Sequence, residues 1–282
     1  MREFRVFIAL TVFAASAAAV AQLKTLKPGW NLFSPQQDVQ LGQEAKAEVD
    51  KTKPIVHDSR IDAYIAGLGK HLAASPRAGS FPFTFQVIND KSINAFALPG
   101  GPVFINTATI TAAQNEAQLA GVLAHEMSHV ALRHGTHEAS KSRAVELIAG
   151  LAGATAGQSM LGSLARAGIN LGANSVLLHY SRDAESQADY NGAEIMAETG
   201  YDPVEMARFF QLLETKGSEG RIAQFLSDHP TPGNRVKAVQ EEVSYMPKRD
   251  YKTDSPEFHR IQALVRALPP APTAPQATKP GE

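Results

Sequence analysis

The sequence predicts an α+β fold, mostly helical with a small sheet, and three observations carry that reading. Apolar residues recur at three- and four-residue spacing around 38–51, 59–74 and 111–134, the period of helices with one buried face. Strand-like alternation is confined to two short stretches, Phe83–Val87 and Val103–Asn106. The pentapeptide His125-Glu126-Met127-Ser128-His129 falls inside the third helical stretch, which sets the small sheet just before a helix that carries chemistry. At 282 residues with 44% hydrophobic content the chain can bury a full core in one domain or two small ones. Its formal net charge of -1 lacks the basic surplus of a nucleic-acid binder, so no nucleic-acid partner is expected.

At the start, Arg2 and Arg5 precede an uncharged run from Val6 to Ala21, and Ala19-Val20-Ala21 supplies small residues that a signal peptidase accepts. Residues 1–21 are therefore expected to be a cleaved signal peptide, leaving Gln22 first and the mature protein in the periplasm or cell envelope. The run is shorter than the roughly 20 residues that span a bilayer, which disfavours a retained anchor. The chain contains no cysteine, so disulfides, thiolate metal ligands and a lipid-modified cysteine are excluded. Any metal must then be held by nitrogen and oxygen.

Val39, Leu41, Ala45 and Val49 mark a helix over 38–51, and Ile61, Tyr64, Ile65, Leu68 and Leu72 mark a second over 59–74; both read as scaffold. His57 and His71 fall in this region without a partner motif and read as surface or packed residues. The first strand ends at the Asn89-Asp90 turn, and Pro99-Gly100-Gly101-Pro102 breaks the chain before the second. Pro102 lacks an N–H and favours an edge or a strand start. Two readings stand for this strand: an exposed edge on which a peptide substrate pairs, or an ordinary hairpin.

Thr111 and Gln114 fit a helix-starting capping box, and Leu119, Val122, Met127 and Val130 continue an apolar stripe toward Gly135, which suits a helix end. His134 and His137 fall off the face shared by His125 and His129 and read as helix-end or surface residues. From Leu147 to Tyr180 the only Lys, Arg, Asp or Glu is Arg166, and Gly and Ala abound. The stretch is expected to be a weakly amphipathic flap over the site, with a membrane hairpin as the other reading. Phe258–Leu268 is expected to form a last short helix before a Pro/Ala-rich, disordered tail. The expected organisation is thus a signal peptide at 1–21, one domain at 22–265 and a tail at 266–282.

His125 and His129, four apart, lie on one helix face and can offer imidazole nitrogens to a single ion, with Glu126 placed to take a proton from the attacking water. Catalytic zinc commonly takes three protein ligands and keeps one position open. Glu185 is the candidate third ligand, and Asp189, again four residues on, is placed to accept the outer N–H of a ligand histidine.

These residues carry a resemblance. His125–His129, Asn94-Ala95-Phe96 with Pro99-Gly100-Gly101 upstream, Tyr180-Ser181-Arg182 with Glu185 and Ala188-Asp189 downstream, and Asp228-His229-Pro230-Thr231-Pro232 with Arg235 together resemble the metallopeptidase family of the CAAX prenyl endopeptidases and HtpX. The resemblance spans about residues 35–245 and is nearest to the soluble periplasmic branch that includes BepA and LoiP. It implies a gluzincin-like fold, one Zn²⁺ held by His125, His129 and Glu185, and Glu126 as general base. It also implies that His229 lies near the metal, stabilising the oxyanion or capping the open position, while Arg235 supports that loop. The implied function is an envelope endopeptidase acting on unfolded or misfolded polypeptides, with peripheral contact to a membrane or to outer-membrane assembly machinery. Neither transmembrane helices of the HtpX kind nor a lipobox of the LoiP kind is evident, and nothing after residue 245 suggests the helical repeats of BepA. The rival expectation is a chaperone-like assembly factor that binds unfolded envelope proteins around a latent metal site. A membrane-embedded protease is a third reading and depends on 147–180.

Overall fold

The computed structural model describes residues 25–148, 170–172, 175–177, 180–215, 222–229 and 235–271. The expected signal peptide and most of the expected tail lie outside the described residues.

The first helix, α1 (Pro35–Thr52), starts at a capping box in which Ser34 and Gln37 each satisfy the other's backbone N–H. Helix α2 (Ser59–Leu72) is capped by Asp58 and buries Ile61, Ile65, Leu68 and Leu72. A 3₁₀ turn at Pro76–Ala78 leads to β1 (Thr84–Ile88), β2 (Ala95–Ala97) and β3 (Pro102–Asn106). The sheet order is β1-β3-β2, with β1 parallel and β2 antiparallel to β3. Helix α3 (Thr107–Ala112) then precedes α4 (Glu116–Ala131), the helix of the His-Glu pentapeptide.

Helix α4 is buried from Glu116 to Val130, and a helix enclosed on every side forms the centre of a domain rather than its surface. Around it lie β2, α6 (Arg182–Glu198) and α7 (Val204–Thr215), joined by α5 (His134–Ile148), α8 (Ala223–Asp228), α9 (Arg235–Ser244) and α10 (Pro256–Arg266). Phe258, Ile261 and Val265 of α10 are buried in the same core as Leu119, Leu123 and Met127 of α4. Strands β4 (Asn170–Gly172) and β5 (Ser175–Leu177) form an antiparallel pair. They fall in the stretch read as flap or membrane hairpin, of which 149–169, 173–174 and 178–179 lie outside the described residues. Among the described residues no helix is long and apolar enough to cross a membrane.

Three local expectations are corrected. Helix α4 starts at Glu116, where the Asn115 side chain accepts from the Gln118 N–H, while Thr111 lies in α3 and bonds back to Thr107 and Ala108. The turn after α4 is made not by Gly135 but by Arg133, at φ 58°, and Gly135 belongs to α5. A non-glycine residue in the left-handed region costs about 1–2 kcal/mol. Arg133 offsets this by bonding both carboxylate oxygens of Asp38 and the Phe33 carbonyl, which also pins the start of α1 to the end of α4. Finally, β3 is the central strand and fully buried, so the exposed-edge reading fails for it. Pro102 sits at its first position, as a residue without an N–H should.

The β2–β3 turn is held against α1 by close approach. Gly100 has φ 76°, and a Cβ there would lie 2.3 Å from Val39 Cα; a Cβ at Gly42 would lie 1.8 Å from the Pro99 carbonyl oxygen. Gly42→Ala must therefore push α1 off the turn, with an expected loss of about 1–3 kcal/mol measured by urea unfolding. A midpoint equal to that of the parent would show that the approach is not needed.

Candidate metal centre

Helix α4 presents His125 and His129 one turn apart, and α6 presents Glu185 in its first turn, after Ser181 caps the helix at the Ala184 N–H. The two helices pack closely enough that a Cβ on Gly192 would lie 3.2 Å from the His125 amide nitrogen. Asn191 locks them further by donating to Ser128 Oγ at 3.0 Å. His125 Nε2 and His129 Nε2 are 3.1 Å apart, and each is 3.4 Å from a Glu185 carboxylate oxygen. From the end of α8, His229 brings Nδ1 to 3.1 Å from Glu185 Oε1 and 3.4 Å from His125 Nε2.

One ligand atom from each of His125, His129, Glu185 and His229 lies within 4.8 Å of the others, and all four residues are buried. Lone pairs of three imidazoles and a carboxylate converging in an interior site repel or must share protons unless a cation sits among them. The donor set, nitrogen with one carboxylate oxygen, suits Zn²⁺. Glu126 fits the same picture: both its oxygens are buried without a hydrogen-bond partner, with His229 Nε2 at 3.4 Å from Oε1. Burial, aided by Glu185 and Asp228, raises its pKa against the opposing pull of His229 and His125.

The surroundings orient these groups. His125 Nδ1 lies 3.0 Å from Asp189 Oδ1, the contact expected from the four-residue spacing of Glu185 and Asp189. Arg235 of α9 donates to Asp189 at 2.7 Å and to Glu185 at 3.4 Å, and its guanidinium lies over the Phe210 ring at 3.6 Å. It thus touches the two carboxylates directly. Asp228, next to His229, accepts from Asn94 Nδ2 at 2.8 Å. Burial disfavours charge on His229, but Glu185 and Glu126 outweigh it and push its pKa up to about 9. For Glu185, burial favours the neutral acid, yet His229 with His125 and His129 holds its pKa well below the carboxylate range.

Two residues at the site had no role in the sequence reading. Tyr180, part of the Tyr180-Ser181-Arg182 motif, is buried and stacks on His129 with ring centroids 3.8 Å apart; a single aromatic ahead of a helix cap carries no spacing signal. His134, read as a helix-end or surface residue, is buried, with Nδ1 3.0 Å from His129 Nδ1. Burial lowers its pKa to about 4. His137 is half-buried, with Nδ1 against the Trp30 carbonyl, and exposed His71 faces the Thr199 carbonyl; neither lies in the cluster.

A buried helix with two histidines, a glutamate from a second helix and a buried glutamate beside them without a hydrogen bond form a gluzincin-type metal site. The chain belongs to peptidase family M48, whose defining pattern matches residues 56–243. It is 28% identical to the β-barrel assembly-enhancing protease of Escherichia coli over 240 residues, 83% of this chain and 49% of that protein. It is 30% identical over 246 residues to the mitochondrial metalloendopeptidase OMA1 of Schizosaccharomyces pombe, covering 85% of this chain and 70% of the relative. It is also 28% identical over 223 residues to the metalloprotease LoiP of E. coli, covering 75% and 82% of the two chains. The chain therefore spans about half the length of the β-barrel assembly-enhancing protease that it matches.

Proposed function

We propose that this chain is an exported endopeptidase of the periplasm or cell envelope that cuts unfolded or misassembled envelope polypeptides, with residues 22–265 acting as one peptidase domain. The observation that carries the reading is the buried cluster of His125, His129, Glu185 and His229 beside the buried carboxylate of Glu126, which accepts no hydrogen bond. In this reading His125, His129 and Glu185 hold the zinc, which when bound polarises the scissile carbonyl. Glu126 takes the proton of the attacking water and returns it to the leaving amine. Asp189 fixes the tautomer and orientation of His125, and Arg235 fixes Asp189. His229 would donate to the developing oxyanion or, packed against Glu185 as here, would cap the site in a resting state.

Substrate pairing is placed at the outer edge of β2, the strand with β3 as its one neighbour in the sheet and buried in this structure. Ladder bonds to β3 run from the Leu98 N–H to the Pro102 carbonyl and from the Asn106 N–H to the Asn94 carbonyl, so the backbone groups of Ala95 and Ala97 face away from β3, with the Ala95 N–H donating to Asn94 Oδ1. The Ala95 carbonyl lies 3.5 Å from His229 Nε2, which brings this edge to the metal-binding cluster. An extended peptide pairing there is recognised mainly through its backbone, which suits unfolded chains of varied sequence. The name of the β-barrel assembly-enhancing protease supports precursors of outer-membrane barrels as substrates and their assembly machinery as a partner.

The test is incubation of the mature protein with an unfolded β-barrel precursor, with and without a zinc chelator. Fragments that appear only with zinc present are expected. Suppressed aggregation of an uncut precursor, unchanged by the chelator, would instead favour the chaperone-like reading.

A further inference from the structure

We infer that His134 is the positioning residue for His129, holding it as a metal ligand through a neutral relay that ends on Gln187. The inference rests on the zinc reading of the site. His129 turns Nε2 to Glu185 and His125, so the proton shared by the two Nδ1 atoms, 3.0 Å apart, belongs on His129. His129 Nδ1–H then donates to His134 Nδ1, which leaves the proton of His134 on Nε2. That nitrogen lies 3.4 Å from Gln187 Oε1, an acceptor. Each group in the relay thus has a fixed direction, and neither histidine can turn or change tautomer without breaking a contact.

The two ligand histidines are oriented by different chemistry. His125 has the charged pair Asp189–Arg235 behind it, and His129 has a neutral ring. Charge balance explains the difference. With zinc bound, its two positive charges and that of Arg235 already stand against four buried carboxylates, Glu126, Glu185, Asp189 and Asp228. A carboxylate in place of His134 would leave an uncompensated buried charge, whereas a neutral imidazole accepts the proton without adding one. The position is supplied by the left-handed turn at Arg133, which reverses the chain after α4 and brings His134 back beside His129. Gln187 comes from α6, two residues after Glu185, so one helix supplies both a metal ligand and the far end of the relay.

The test measures zinc affinity by chelator competition for the parent, His134→Phe and His134→Asn, with the unfolding midpoint of each zinc-free protein alongside. Phenylalanine keeps a ring against Tyr180 but offers no acceptor; asparagine places an oxygen near the former Nδ1. His134→Phe is expected to weaken zinc binding about 10- to 100-fold with little change in the zinc-free midpoint, and His134→Asn to restore most of the affinity. Equal affinity in the parent and His134→Phe, or equal losses in both variants, would overturn the inference. If His134→Phe does not fold, Gln187→Leu replaces it, with weaker zinc binding expected and parental affinity contradicting the relay. A parent that takes up no zinc would defeat the zinc reading itself, a result distinct from all of these.

Discussion

Glu126→Gln should bind zinc as the parent does and cleave an unfolded protein such as casein about 10² to 10⁴ times more slowly, the range typical of losing a positioned general base. The side chain is buried on α4, and neither oxygen has a hydrogen-bond partner. A carboxylate left in that condition costs stability and is not kept for packing. The amide is nearly the same size, so the helix should tolerate it. Its oxygen is too weak a base to take the proton of water, and the loss should fall on kcat rather than on KM. Near-parental turnover would remove Glu126 from the chemistry.

Arg235→Leu should cost about 3–5 kcal/mol in the zinc-free protein, measured by denaturant unfolding. Arg235 is buried, donates to Asp189 and Glu185, and lies flat on Phe210. Leucine recovers part of the packing on the ring but leaves two carboxylates without their shared cation. Zinc supplies positive charge beside Glu185, so the loss should be smaller in the zinc-bound protein, and zinc affinity should be measurably altered. An unfolding midpoint within error of the parent would mean that water or His229 already compensates these carboxylates.

The parts of the site legible in the sequence are those set by helix periodicity. His125 and His129 on one face, and Glu185 with Asp189 on another, follow from four-residue spacing, and the structure joins them at 3.0–3.4 Å. The α+β class and the helices over 38–51 and 59–74 were legible for the same reason. His134 was not, because its place depends on a break in periodicity. Continuing α4 past Ala131 puts residue 134 on another face, and only the left-handed turn at Arg133, fixed by distant Asp38, returns it to the site. The sheet order was hidden too. Three-residue β2 is too short to show alternation, and its slot beside β3, across from β1, is set by packing against α4. Asn115 and Thr111 were competing helix caps, and the choice between them depended on α3 being a separate short helix.

The most direct test of the central claim is anomalous diffraction at the zinc edge from crystals of the mature protein, alongside crystals of Glu185→Ala. One peak is expected among the His125, His129 and Glu185 side chains at full occupancy in the parent, and a weak or absent peak in the variant. A peak elsewhere, or one of undiminished height in Glu185→Ala, would contradict the account.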